Sequence, residues 1–439
     1  MAEVRRQDIL LRVGGNALRR YGVQAWSGSR RVEEFKEAHT RADAATCARF
    51  TNLDGVSYTA GANVLRIDYP PGALDPNNVQ ISGPLSEGSR ANNWTRSTEF
   101  SNAAWTKTNC SISTDQSTGP DGTLVDHLLE SNDGAPANHQ MIQTFTGATD
   151  NTLQTFSFIV RPIGRTWCLL QMVRKDGTSK NVSFNLSTGA VGTADSGMVG
   201  RVTHKWVTAA GTFWRVSARC DVLAGGTTPL GRIYTATGDG AGAVTYQGNG
   251  SAALAIWHGQ YEPDKTFESS PIITVASAVT RAADALTVPV NWGPATDITV
   301  LATLARPPHA DGAGALGVSP GIFSIGAGAA ARIGAYFDPA NRNIVGVIDT
   351  ATTDQTVSAA IPSGNPSVLF QFKSLTTGGQ VAMDTGSGLS AFSSAATAFS
   401  AFSSQTLRIG RYDDELFGTV GQLLVLRGLF TRAEALAVP

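Results

Sequence analysis

The chain has 439 residues, a formal net charge of -1, only 16% charged residues and 47 glycines. A charge so close to zero leaves no electrostatic footprint for nucleic acid. No apolar run approaches the ~20 residues that span a bilayer, so neither nucleic-acid binding nor membrane insertion is expected. Little charge and much Gly, Ser and Thr imply short strands joined by many turns, in two or three domains.

Residues 1–45 differ in composition from the rest of the chain. They carry the pairs Arg5-Arg6, Arg19-Arg20 and Arg30-Arg31, and the pattern predicts a short helix over Arg31–His39. This stretch is expected to form an N-terminal docking arm; its basic pairs suit either a solvated face or a surface for an acidic protein partner. The first residues lack the apolar stretch of a signal peptide, which implies synthesis in a cytoplasm. Residues 46–88 form a β leader with a hairpin signal at Asp54-Gly55.

Residues 89–282 predict strands at Gln154–Val160, Trp167–Val173, Asn181–Leu186, Trp206–Ala209, Phe213–Ala218, Gly231–Thr235 and Ala253–Glu262. Pro120-Asp121-Gly122, Lys175-Asp176-Gly177 and Ser187-Thr188-Gly189 mark turns. Short strands at such spacing imply a sandwich. Residues 283–439 repeat the pattern, with strands at Ile298–Leu304, Gly321–Ile325, Ile333–Phe337, Ile344–Asp349, Ser367–Phe372, Gln380–Met383, Leu407–Gly410 and Gly418–Leu426. Ala391–Ser404, where Ala-Phe-Ser recurs, suits an edge strand or a loop packed on a neighbouring subunit. Thr431-Arg432-Ala433-Glu434 is a capping box for a short final helix.

Matches to catalytic motifs fail on context. Gly317-Val318-Ser319-Pro320-Gly321 has the spacing of a nucleophile elbow, but Pro320 has no amide hydrogen for an oxyanion hole. Gly312-Ala313-Gly314-Ala315-Leu316-Gly317 lacks the preceding strand and following helix of a dinucleotide loop. The six histidines show no ligand spacing. The four cysteines form neither a zinc pattern nor a disulfide framework, and Cys168 suits a buried apolar position. No cofactor is predicted. Calcium is the one ion considered, at Asp413-Asp414-Glu415, where a solvated turn is the plainer reading.

Strand alternation then sorts the aromatics by face. Cys168, Leu170 and Met172 point to the core, leaving Trp167 and Gln171 on the opposite face. Arg232 and Tyr234 project together. In the last strand, Trp257 and Tyr261 are expected in the core and His258 and Gln260 on the other face. A ring beside amide and basic groups is what sugar recognition needs. The carbohydrate-binding candidates are therefore Trp167, Gln171, Arg232, Tyr234, His258 and Gln260, against the plainer reading of ordinary sandwich packing.

Several segments resemble a module of tailed-phage virion proteins and of jelly-roll carbohydrate-binding modules. They are Arg90-Ala91-Asn92-Asn93, Glu99 to Lys107 (Glu-Phe-Ser-Asn-Ala-Ala-Trp-Thr-Lys), Pro120-Asp121-Gly122-Thr123, Phe213-Trp214-Arg215-Val216-Ser217, Ile256 to Glu262 and Thr280-Arg281-Ala282-Ala283-Asp284. His258 and Gly259 stand where that family has Gly and Ala. Asp54-Gly55-Val56 to Arg66-Ile67-Asp68-Tyr69 is similar to the usual leader. Leu407-Arg408-Ile409-Gly410, Phe417 to Gly421 and Leu429 to Glu434 resemble a concanavalin or laminin-G-like sandwich.

The resemblance implies an all-β protein: an N-terminal arm followed by two antiparallel β-sandwich domains of jelly-roll, lectin-like type. It implies a virion surface protein, either head spike or tail fibre, of a phage or a phage-derived gene transfer particle. Such a protein is assembled in a bacterial cytoplasm and contacts other virion proteins through its arm. As a homo-oligomer it would bind host surface or capsular glycan without catalysis. A purely structural decoration or adaptor protein is the alternative. A capsule-degrading enzyme is disfavoured because no paired-acid motif is visible.

Overall fold

The computed structural model describes residues 83–290 apart from Asp133. Before residue 83 it describes strand segments. After residue 290 it describes 297–306, 321–328, 331–338, 343–350, 354–360, 367–373, 375, 379–394, 405–409 and 418–436. The chain is an all-β protein that divides into two compact units. One combines Asp43–Gly61 with Ser89–Arg281; the other combines Met1–Ala42, Ala62–Gly88 and Ala282–Pro439.

The first unit is a sandwich of two antiparallel six-stranded sheets. Its strands are β1 (Thr106–Thr108), β2 (Cys110–Thr118), β3 (Leu124–Glu130), β4 (Gln140–Thr144), β5 (Thr152–Pro162) and β6 (Trp167–Val173). They continue with β7 (Ser179–Asn185), β8 (Ala190–Ala194), β9 (Val199–Thr208), β10 (Gly211–Val222), β11 (Leu230–Ala236) and β12 (Ala252–Glu262). One sheet runs β1-β4-β11-β6-β7-β8, and the other β2-β3-β12-β5-β10-β9. Alternation fills the space between them. Cys168, Leu170 and Met172 of β6 meet Phe156 and Phe158 of β5, Val216 and Ala218 of β10, and Leu254 and Ile256 of β12, all buried. Each large side chain hidden this way contributes about 1.5–3 kcal/mol. Cys168 is one of these buried residues, and burial pushes its thiol well up.

The resemblance segments form this scaffold. Trp94, Phe100 and Trp105 are buried in the same core, and the rings of Trp94 and Trp105 meet edge-on at 5.1 Å. Asn92, fully buried, uses its whole hydrogen-bonding capacity. Its Nδ2 donates to Gly259 O (3.2 Å) and Ile272 O (2.8 Å). Its Oδ1 accepts from Trp94 N (3.1 Å) and Tyr261 N (3.0 Å). Arg281 is buried and donates to Ser270 Oγ (2.7 Å). Asp284, in the other unit, accepts from Glu87 N at 3.0 Å and returns its own amide to Glu87 O at 2.8 Å.

Beyond β12 the chain turns at Asp264, which has a φ of 56°. Its carboxylate accepts from Thr149 N (3.1 Å), Thr149 Oγ1 (2.6 Å), Thr152 Oγ1 (2.6 Å) and Gln154 Nε2 (2.7 Å). Burial opposes its charge, but bonds from Thr149, Thr152 and Gln154 outweigh that and hold the carboxyl below the usual range. A depressed folded-state pKa means stability that is present above the ordinary carboxylate pKa of about 3.9 and lost as pH falls through the folded value. Asp264→Asn is therefore expected to be less stable than wild type at pH 7 and to lose less on acidification. Thermal melts between pH 7 and pH 3 check this, since two parallel curves would exclude Asp264 as an acid-labile pin.

The second unit has two larger sheets. One runs Asp354–Ala360, Asn343–Thr350, Ala331–Asp338, Gly321–Gly328, Gln405–Ile409, Ala285–Val290 and Ala38–Thr40. The other has Gly418–Arg427, Ile298–Arg306, Ser367–Lys373 and Gln380–Asp384 in sequence. Phe323, Phe370, Phe372, Ile333, Val300 and Val425 share its core. Arg332 and Asp349, opposite each other on neighbouring strands, pair at 2.7 Å. The predicted capping box forms: Thr431 N donates to Glu434 Oε2 (2.9 Å), and Glu434 N donates to Thr431 Oγ1 (3.3 Å).

Two expectations change at the N-terminus. Of the helix predicted over Arg31–His39, residues 32–37 lie outside the described residues, whereas its ends are strand: Arg31 pairs with Trp26, and Ala38–Thr40 adds to Ala285–Val290. Within the expected arm, Ile9–Gly14 lies antiparallel to Gly418–Arg427, so backbone hydrogen bonds tie it into the second unit's sheet. Asp54-Gly55, the glycine motif at 312–317, all of the Gly317–Gly321 motif but its last residue, Asp413-Asp414-Glu415 and 395–404 lie outside the described residues.

Candidate functional site

The outward face of the first sheet is a grid set by strand register. Arg232 of β11, Gln171 of β6 and Asn181 of β7 lie directly opposite one another. The next row is Tyr234, Leu169 and Ser183, and the one after it Ala236, Trp167 and Asn185. Trp167 and Gln171 are four residues apart on one face, which places their Cα atoms about 13 Å apart.

The Arg232 row is a single polarised chain. Arg232 Nη1 donates to Gln171 Oε1 (2.8 Å), Gln171 Nε2 to Asn181 Oδ1 (2.8 Å), and Asn181 Nδ2 to Asp195 Oδ2 (2.8 Å). A cation at one end and a carboxylate at the other orient both amides, each oxygen toward Arg232 and each nitrogen toward Asp195. The Tyr234 hydroxyl closes the corner: it accepts from Arg232 Nη1 (3.1 Å) and donates to Gln171 Oε1 (3.1 Å). Arg232, Gln171, Asn181 and Trp167 are all partly exposed. Side chains locked this way keep their positions without a ligand, as recognition requires.

The loop between β11 and the short 3-10 turn Ala241–Val244 forms a wall beside Trp167. Asp239 accepts from Thr193 N (2.8 Å), Thr193 Oγ1 (2.8 Å) and Ser183 Oγ. Bonds from Ser183 and Thr193 hold its carboxyl below the usual range. Gly192 lets this wall and the ring come together. A Cβ there would sit 2.9 Å from Trp167 Cζ3 and 2.7 Å from Ser183 Oγ, and would collide with Asp239 Oδ1. Gly192→Ala is therefore expected to displace Trp167 and the loop, costing about 1–3 kcal/mol of stability from overpacking. Comparing indole fluorescence and melting midpoints with wild type checks it, and unchanged values would show that the wall yields freely.

Three predicted site residues sit otherwise than expected. Tyr234 is not an open ring: Val244 of the 3-10 turn packs over it with Leu169 and Ala236, leaving it 4% exposed. Only its hydroxyl joins the row. His258 and Gln260 do face away from the core between the sheets, but both are 0% exposed. The chain after β12 folds back over them. His258 Nε2 donates to Ile272 O (3.1 Å), and Gln260 Oε1 accepts from Ile272 N (2.8 Å) while its Nε2 donates to Glu262 Oε1 (2.6 Å). They are structural groups under a strap.

Trp257 and Tyr261 also part company. The β5–β12 register shifts between Ile159 and Val160, pairing His258 and then Ile256 and leaving Trp257 as a bulge. Trp257 packs with Trp206 and Phe213 on the outer side, whereas Tyr261 lies between the sheets. Gly259, two residues past Trp257, leaves room for the Trp105 ring, which a Cβ there would meet at 3.0 Å.

Asn181, Asp195 and Asp239 were absent from the sequence candidates. Asn181 was within reach: counting outward from the Asp176-Gly177 hairpin puts it opposite Gln171. Asp195 and Asp239 come from loops, and alternation carries no signal for those.

No family model matches the chain, and no curated protein matches it. Among solved structures, domains LG4-5 of the mouse laminin alpha1 chain align at 11% identity over 68% of this chain and 90% of that chain, with a TM-score of 0.23. An overlay that loose assigns no ligand to this chain. Among the described residues no group of three or more His, Cys, Asp or Glu side chains could hold a metal ion.

Proposed function

We propose that the chain is a non-enzymatic attachment protein of a phage or phage-derived particle that binds host surface or capsular polysaccharide. It would stand on the virion surface as a spike or fibre, held by other virion proteins. The oriented Arg232–Gln171–Asn181 row beside partly exposed Trp167, on one open sheet face, carries the binding reading. Donors and acceptors at fixed positions suit sugar hydroxyls, and an indole ring suits the apolar face of a pyranose. The attachment role rests on the resemblance of the scaffold segments, which form the core and turns of the first unit.

A shallow face of this kind binds weakly per copy and gains strength from repetition on a particle. The test is retention of fluorescently labelled protein, clustered on beads, on encapsulated bacteria and on capsule-less mutants of the same strains. Retention confined to encapsulated cells is the expected result. Equal retention on both would sink capsule binding. No retention on either would favour a structural decoration whose aromatic face is covered by other subunits.

A further inference from the structure

We propose that the group recognised at the Arg232 end of this face is a carboxylate, so that the ligand is an acidic, uronate-type polysaccharide; this rests on the glycan-binding reading. Arg232 is a partly exposed cation whose hydrogen-bond acceptors, Gln171 Oε1 and the Tyr234 hydroxyl, are both neutral. Among the described residues it has no carboxylate within ion-pair distance, and its Nε is buried without a hydrogen-bond partner.

The two carboxylates near the face do not supply the missing charge. Asp195 lies two amides away and is held by Asn181 N and Nδ2, both at 2.8 Å. Asp239 is held by Thr193 and Ser183 on the Trp167 side. Arg232 is nonetheless clamped: one of its nitrogens donates to two acceptors that are themselves bonded to each other. A pre-aimed guanidinium with no counter-ion, whose Nη2 is neither buried nor bonded, suits a carboxylate bound by charge-assisted hydrogen bonds from that nitrogen. With Trp167 about 13 Å along the strand, ring and cation are too far apart for one sugar. An extended polymer with an acidic residue at one end of the footprint fits both.

The experiment uses the full chain and four immobilised probes: polygalacturonate, alginate, dextran and dextran sulfate. Carboxyl-reduced forms of the first two are included. Binding to a carboxylated polymer, weakened at least tenfold by carboxyl reduction, is expected. Arg232→Gln should remove that discrimination, and Arg232→Lys should retain part of it, as charge without the clamped planar guanidinium. Circular dichroism melts establish that each variant folds; if Arg232→Gln does not, Arg232→Lys and the carboxyl-reduced polymers decide. Equal binding to native and reduced polymer, or binding to dextran alone, overturns the carboxylate while leaving glycan attachment standing. Binding to dextran sulfate alone overturns it in favour of a sulfate or phosphate ester. Retention on encapsulated cells with none on any carboxylated polymer also overturns it. Failure on every polymer and on cells removes the parent reading.

Discussion

Trp167→Ala is expected to lower retention on encapsulated cells at least about 30-fold, the cost of about 2 kcal/mol typical when a ring is truncated at a binding hot spot. The fold should survive. Trp167 lies at the rim of the small outer cluster of Leu169, Tyr234, Ala236 and Val244, not in the core between the sheets. Its loss should cost about 1–2 kcal/mol, well below the 3–5 kcal/mol of a fully buried aromatic. Trp167→Phe keeps a flat ring and should recover part of the binding. His258→Ala offers the contrast. It removes a group bonded to Ile272 O inside the unit, so stability should fall while per-molecule affinity of the folded protein is kept. Cell binding and melting measured on all three variants check the pattern. Wild-type binding by Trp167→Ala would move the site off this face.

Asn92→Ala should be among the most damaging substitutions in the first unit, at about 4 kcal/mol. One side chain joins four backbone groups: Trp94 N, Tyr261 N, Gly259 O and Ile272 O. All four bonds run inside a fully buried site, and each deprived partner costs about 1 kcal/mol or more. The substitution would also loosen the strap over His258 and Gln260, because Ile272 is common to both. Asn92→Asp keeps the two accepted bonds and loses the two donated ones, so its cost should come mainly from Gly259 O and Ile272 O, with a buried charge added. Urea unfolding followed by circular dichroism measures both. A midpoint for Asn92→Ala equal to wild type would mean that water or a local shift replaces the amide.

Much of the sandwich was legible because period-two alternation is a local property. Strand β6 was predicted at its observed bounds, and its inward and outward faces were assigned correctly, since Cys168, Leu170 and Met172 are uniformly apolar. The capping box at Thr431 and Glu434 was legible for the same reason: both partners lie within one turn. The polar edge strands β2 and β8 were missed. Much of β2, and nearly all of β8, is exposed, so neither needs an apolar period. Strand β3 was missed because Asp126 and His127 interrupt its apolar run; Asp126 is buried and accepts from Phe100 N (2.9 Å).

The candidate site divides along the same line. Sequence alone determined that the chain is all-β, and that Trp167, Gln171 and Arg232 point away from the core, because each follows from alternation within a single strand. Tertiary structure decided which outward face stays open. Gln171 and Arg232 are joined because β6 and β11 are neighbours in register, a pairing of segments about sixty residues apart. His258 and Gln260 obey the same alternation, yet the returning chain covers them, and Val244 covers the ring of Tyr234. Alternation specifies a side of a sheet; whether that side meets water depends on what the rest of the chain lays over it.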